Sequence, residues 1–282
     1  MPHHQSGPIR KVVDSNALQS PRLRAYLSKS TNNFAVLTDY AAMEAYKGNT
    51  LVSIFQSMAI LADFPKQVIV LKTTGIVCGL SGRRAGLQHR MIDEKQTLGF
   101  QKYCHDLRAA KLGDVSGREQ LLDLGRAADA QMGRMLADAE TMPEAVEGIA
   151  NSFTDAELKI IRTSLPFPDE LVRKVLESIL ALAQSLYSRH PQPAIVRNLE
   201  ELPNTFLFRA ALCAFVWALD WISMGGPKDV KTEKIRNDLV DVNFATFATY
   251  FDGLLSMDEK PLRIYQGAAF VLDAITSGQS PR

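Results

Sequence analysis

Apolar runs alternate with helical periodicity along the N-terminal part of the chain. Three short runs, residues 10–13, 34–37 and 67–71, have the length and the apolar content of strands. Between them, residues 17–30 have helical spacing, and Thr38 or Asp39 can cap a helix that carries Glu44. Thr50 can cap the helix that follows it. This alternation predicts a parallel α/β sheet, and the β-branched run 67–71 predicts a central strand.

The middle of the chain has a different pattern, because from about residue 79 to residue 223 the periodicity is helical and no strand is predicted. Proline and glycine clusters separate the helical segments. The predicted helices span residues 81–111, 116–139, 142–152, 155–164, 169–189 and 206–224. The sequence therefore predicts an all-helical insertion, residues 76–227, between the two parts of a sheet domain, residues 1–75 and 228–282.

The C-terminal segment supplies the expected end of that sheet domain. Asn237 or Asp238 can cap a helix, Gly253 can end it, and residues 254–257 have the pattern of a fourth strand. Asp258 follows that strand, and residues 261–275 predict a closing helix. Since parallel α/β sheets bind ligands at the carboxyl ends of their strands, we expect acidic side chains to gather there.

Three groups of residues resemble PIN-domain nucleases, including the toxin-type members. They are Asp14-Ser15-Asn16 after the first strand, Glu44 within residues 38–48, and the late acids Asp241 and Asp258 at a spacing close to that of the family. The resemblance covers residues 10–72 and 232–275. It implies a PIN-like fold, with a small central parallel sheet flanked by helices, and a metal-dependent endoribonuclease activity.

The resemblance also implies roles for these acids. Asp14, Glu44, Asp241 and Asp258 would form a catalytic, metal-binding set, and Asp238 is an alternative to Asp241. Mg²⁺ and Mn²⁺ are the expected cofactors, because hard cations prefer carboxylate oxygens and because they neutralise phosphate charge and activate water.

Substrate contacts are predicted from polar and basic residues near these acids. A phosphate backbone attracts such groups, although each of them can equally belong to a solvated surface. The candidates are Ser15, Asn16, Lys72, Arg83, Arg84, His89, Arg90 and Arg236, together with the lysines that precede Arg236.

Composition narrows the class of protein. The chain has 282 residues and a net charge of +1, which excludes a strongly basic protein that coats nucleic acid. Three widely spaced cysteines form no disulfide framework, and the polar start lacks the apolar core of a signal peptide, so a cytoplasmic location is expected. Arg209 and Asp220 interrupt residues 206–224, which predicts a buried helix and no membrane span.

Two alternatives to an RNA-cleaving enzyme stay open. A related nuclease could act on DNA, or the chain could be a PIN-like scaffold that binds a partner protein and has lost activity. The toxin-type resemblance is further compatible with a protein regulator and with a homodimer.

Overall fold

A computed structural model describes residues 7–47, 50–83, 86–163, 166–226 and 230–277, without the side chains of residues 137, 138 and 277. The chain forms two compact units. The sheet unit consists of Met1–Val77, Gln88–Gly133 and Tyr250–Glu259. The helical unit consists of Cys78–Leu87, Arg134–Thr249 and Lys260–Arg282.

The sheet unit contains four parallel strands. These are β1 Ile9–Val13, β2 Asn33–Leu37, β3 Val68–Val70 and β4 Leu254–Leu255, in the order β3-β2-β1-β4. The predicted α/β class with a small parallel sheet is confirmed.

Helices make up most of the described chain. They are α1 Pro21–Lys29, α2 Asp39–Tyr46, α3 Leu51–Asp63, α4 Thr74–Cys78, α5 Gln88–Met91, α6 Glu94–Leu112, α7 Val115–Ala139, α8 Met142–Asn151, α9 Asp155–Arg162, α10 Asp169–Arg189, α11 Phe206–Ser223, α12 Thr232–Ala248 and α13 Glu259–Ser277.

The first three helices each begin at a capping residue that is recognisable in the sequence. The Ser20 hydroxyl accepts from the backbone N–H of Arg22, next to a proline at the first helical position of α1. The hydroxyl of Thr38 caps α2 and that of Thr50 caps α3. These threonine caps were predicted, and they are confirmed because capping depends only on residues one turn apart.

The strand β3 lies at the edge of the sheet, so its prediction as a central strand is wrong. It is nevertheless largely buried because α6 packs against it. The Thr97 hydroxyl bonds both the N–H and the C=O of Val70, at 3.0 and 3.3 Å. The N–H of Asp93 also donates to the Val70 carbonyl, at 2.9 Å. Helix α6 therefore covers an edge that would otherwise be open to pairing.

The helical unit is built around α11. This helix packs against α8, α9, α10 and α12, and eleven of its side chains are buried. Among the described residues α11 is the one helix long and apolar enough to cross a membrane by length and composition, and 61% of it is buried inside the protein. The prediction that this segment is a buried helix is confirmed.

Two predicted helix boundaries are wrong. Residues 81–111 do not form one helix, since α5 and α6 are separate and α5 begins only at Gln88. Helix α12 begins at Thr232 after Lys231, so neither Asn237 nor Asp238 caps it. The compact units also differ from the predicted division, because α6 belongs with the sheet that it covers and α12 belongs with α11.

Candidate acidic site

The strand order reverses at the carboxyl ends of β1 and β4. The chain passes from β1 to β2 and β3 on one side, and β4 is added later on the other side of β1. Val13 pairs with Leu255 at the end of this ladder, so Asp14 and Ser256 are the next residues of the two strands. A reversal of strand order is where open α/β sheets bind ligands.

Asp14 is the most buried acid at this edge of the sheet. Its residue surface is 2% exposed, and its carboxylate accepts from the Ser256 hydroxyl at 2.6 Å and from the Ser15 hydroxyl at 3.3 Å. Burial raises the pKa of Asp14 above 3.8, and these hydrogen bonds only partly oppose it. No salt bridge to Asp14 is formed within the described part of the chain. Asp14 is therefore a desolvated acid whose hydrogen-bond partners are hydroxyl and backbone groups.

Glu44 lies beside Asp14 through a shared hydroxyl. The Ser15 Oγ is 3.1 Å from Glu44 Oε2 as well as 3.3 Å from Asp14 Oδ1. A serine hydroxyl has one proton, so it can donate fully to only one of these oxygens at a time. Lys47 Nζ contacts the same oxygen of Glu44, at 2.7 Å. The predicted proximity of Asp14 and Glu44 is present in the structure.

Asn16 and Ser256 hold the segment after β4 against the segment after β1. The side-chain oxygen of Asn16 accepts from the N–H of Met257 at 2.9 Å. The Ser256 hydroxyl accepts from the N–H of Asp258 at 3.0 Å while it donates to Asp14. Asp258 thereby lies next to the group that contacts Asp14, with an exposed side chain.

A half-buried carboxylate at this edge was missed by sequence reasoning. Asp39, at the start of α2, accepts from the N–H of Thr74 at 2.7 Å and from its hydroxyl at 2.8 Å. Burial raises the pKa of Asp39, against the effect of the Thr74 bonds. Asp39 lies two residues after β2, and this position was the sequence signal for an acid at the sheet edge. Asp39 was interpreted only as a possible helix cap. Ser256 was missed because it was placed inside the fourth strand.

Asp238 has a structural role in the helical unit. It is 1% exposed, and its Oδ2 accepts from the indole N–H groups of Trp217 at 3.1 Å and of Trp221 at 2.9 Å. Its other carboxylate oxygen forms an ion pair with Lys260. Since these donors occupy both oxygens, we replace the predicted metal-binding role of Asp238 with that of a buried polar anchor.

The remaining candidates divide between the two units. Asp241 lies on α12 in the helical unit and is half-buried, and Arg236 on the same helix bonds the side chain of Asn237. In the sheet unit, Lys72 donates to the carbonyl of Arg90 at 2.8 Å. Arg83 is exposed before α5, so the basic residues do not share one helix face. Arg84 lies outside the described residues.

The carboxylates at this sheet edge can be compared with the ligands that Mg²⁺ or Mn²⁺ requires. No group of three or more His, Cys, Asp or Glu side chains placed to hold a metal ion occurs within the described ranges. Asp14 and Glu44, joined through Ser15, are a pair of carboxylates. Mg²⁺ is commonly held by one or two carboxylates with waters and substrate phosphates, so this pair fits a water-rich site. It does not by itself form a cage of protein ligands.

Comparisons with protein-family models, curated proteins and solved structures find no match to this chain.

Proposed function

We propose that this protein is a Mg²⁺- or Mn²⁺-dependent endoribonuclease with a PIN-like sheet unit. The observation that supports this proposal is the buried Asp14 at the carboxyl ends of β1 and β4, linked through Ser15 to Glu44. Two neighbouring acids at this sheet edge suit a hard cation, whereas the three cysteines are buried and form no disulfide. Reducing, cytoplasmic conditions are part of the proposal.

The side chains of the site would have separable tasks. Asp14 and Glu44 would hold the cation, Ser256 would fix the orientation of Asp14, and Ser15 would keep the two carboxylates together. When bound, a divalent cation neutralises the phosphodiester, lowers the pKa of a water molecule and stabilises the leaving oxygen. Burial raises the pKa of Asp14, so its ionised form is disfavoured, and a bound cation would offset this cost of the buried charge.

Further contacts are part of the same proposal. Within the sheet unit, Asp258 would add a ligand or hold ligating waters, while Ser15, Asn16 and Lys72 would contact the substrate. RNA is proposed over DNA on the toxin-type resemblance alone. A protein regulator and a homodimer belong to the same inference.

The first experiment measures cleavage of single-stranded RNA with Mg²⁺, Mn²⁺ or EDTA. We expect cleavage only with a divalent cation, and a loss of at least about a hundredfold in Asp14→Asn and Glu44→Gln, since a positioned charged group commonly contributes that much. Asp63→Asn is the matched control, because Asp63 pairs with Arg24 on an exposed surface. Cleavage that persists in EDTA would exclude the mechanism, and a DNA oligonucleotide of the same sequence tests the choice of RNA.

A second candidate function is a PIN-like scaffold that binds a protein and does not cleave nucleic acid. It is favoured by the Lys47 ion pair on Glu44 and by the lack of a three-ligand group in the described part of the chain. Isothermal titration distinguishes the two functions. An absence of Mn²⁺ binding up to millimolar concentration favours the scaffold, whereas binding that Asp14→Asn abolishes favours the nuclease.

A further inference from the structure

Glu44 already carries a cation supplied by its own helix. Lys47 Nζ lies 2.7 Å from Glu44 Oε2, one helical turn further along the chain. Lys47 is the C-terminal capping residue of α2, where the helix dipole favours a positive charge. Both the turn geometry and the dipole therefore hold this ammonium close to the carboxylate.

The two partners differ in their access to water. The Glu44 side chain is 10% exposed, whereas the Lys47 side chain is 48% exposed. A half-exposed lysine can leave the carboxylate and remain solvated, because its flexible stem lets the ammonium move into water. Glu44 has no comparable freedom, so a cation that replaces Lys47 would come to Glu44.

Lys47 and a divalent cation would compete for the same oxygen. Two positive charges within contact distance of one carboxylate repel each other, and the repulsion is only partly screened at a half-exposed site. Within the described ranges the ion pairs include Glu44 but not Asp14, so the competition affects the Glu44 half of the pair.

We infer that Lys47 is an internal counter-cation of the Asp14–Glu44 pair and that it sets the divalent-cation affinity of the site. This inference rests on the proposed metal site but not on nuclease activity. While the site is empty, Lys47 neutralises Glu44 and prevents two adjacent carboxylates from destabilising the sheet edge. When a divalent cation binds, the Lys47 ammonium moves into solvent beside the bound ion.

The test is the affinity for Mn²⁺, measured by isothermal titration and by the electron paramagnetic resonance signal of free Mn²⁺. Lys47→Met should bind Mn²⁺ about three- to fivefold more tightly than the wild type, the upper range for a partly exposed ion pair. Lys47→Arg keeps the charge and should bind within about twofold of the wild type.

Lys102→Met is the matched control for loss of one positive charge. Lys102 pairs with Asp106 at 2.5 Å on α6 of the same unit, and both side chains are more than half exposed. Its Mn²⁺ affinity should be unchanged. Adding Glu44→Gln to Lys47→Met should remove the gain in Mn²⁺ affinity, because the side chain at position 44 then carries no charge for which a lysine and a divalent cation could compete.

An affinity of Lys47→Met equal to or weaker than that of the wild type would overturn the inference, provided that circular dichroism shows a folded chain. If that variant is unfolded, Lys47→Gln replaces it with the same expected tightening. Failure of Mn²⁺ to bind either the wild type or Lys47→Met would overturn the inference and the metal site together. Tighter binding without RNA cleavage would leave the inference standing and reject the nuclease.

Discussion

Replacing Asp238 by alanine should destabilise the helical unit even without any metal ion. The substitution leaves the Lys260 ammonium without its carboxylate and leaves the indole N–H groups of Trp217 and Trp221 without their acceptor. All four side chains lie in one unit, and Asp238 is fully enclosed. The effect therefore tests the structural role that the contacts assign to Asp238.

The magnitude follows from these contacts. Removing one partner of a buried ion pair costs about 3–5 kcal/mol, and each unsatisfied buried donor costs about 1–3 kcal/mol. The costs of the lost ion pair and of the two lost indole hydrogen bonds do not add, since the single carboxylate of Asp238 makes all three contacts. The Lys260 side chain is 20% exposed and can recover part of its hydration. We therefore expect a total loss of about 3–5 kcal/mol in the free energy of unfolding.

Equilibrium urea denaturation in EDTA, followed by tryptophan fluorescence, measures this loss directly. The chain has two tryptophans, and both contact Asp238, so the signal comes from the perturbed site. Asp220→Ala is the matched control, because Asp220 on α11 pairs with Arg263 at a more exposed position. The control should lose at most about 1 kcal/mol.

A loss in Asp238→Ala no larger than that of Asp220→Ala would refute the reasoning. A double-mutant cycle with Lys260→Met separates the ion pair from the indole bonds. The coupling between the two positions should be at least about 1 kcal/mol, since the pair is buried.

Three further outcomes follow from the structure. Burial raises the pKa of Asp14 above its ordinary value of 3.8, so ionisation of this residue costs folding free energy as pH rises. Asp14→Asn should therefore raise the free energy of unfolding at pH 7 in EDTA. Urea denaturation should show this gain shrink as pH falls through the raised pKa and vanish below 3.8. Thr97→Val removes both bonds to the edge strand and should cost about 1–2 kcal/mol by urea denaturation, with faster amide exchange at Val70. Gly82→Ala places a Cβ 2.1 Å from a backbone oxygen and should lower the melting temperature, whereas Gly75→Ala, in open space on a helix, should not.

Local signals in the sequence predicted elements well. The threonine caps, the periodicity of α10 and the glycine break before β4 each depend on residues within one or two turns. Gly253 has a φ of 127°, a backbone conformation that glycine adopts without strain, as its position between helix and strand indicated. The acids after β1 and β4 could likewise be found, because a polar residue directly after an apolar strand lies at the ligand-binding edge.

Positions that depend on long-range packing could not be read from the sequence. Nothing local distinguishes β3 as an edge strand, because its apolar, β-branched residues are largely buried under α6. Asp238 and Asp241 lie three residues apart on one helix, and only the packing of α11 and α13 around Asp238 determines which of them is buried.

The sequence by itself determined the α/β class, most helix spans and the identity of Asp14 and Glu44 as neighbours at a sheet edge. The tertiary structure alone decided the strand order, the division into units and the partners of each carboxylate. The physical reason is range: caps and periodicity act within a turn, whereas the surroundings of a carboxylate come from segments as distant in sequence as Asp14 and Ser256.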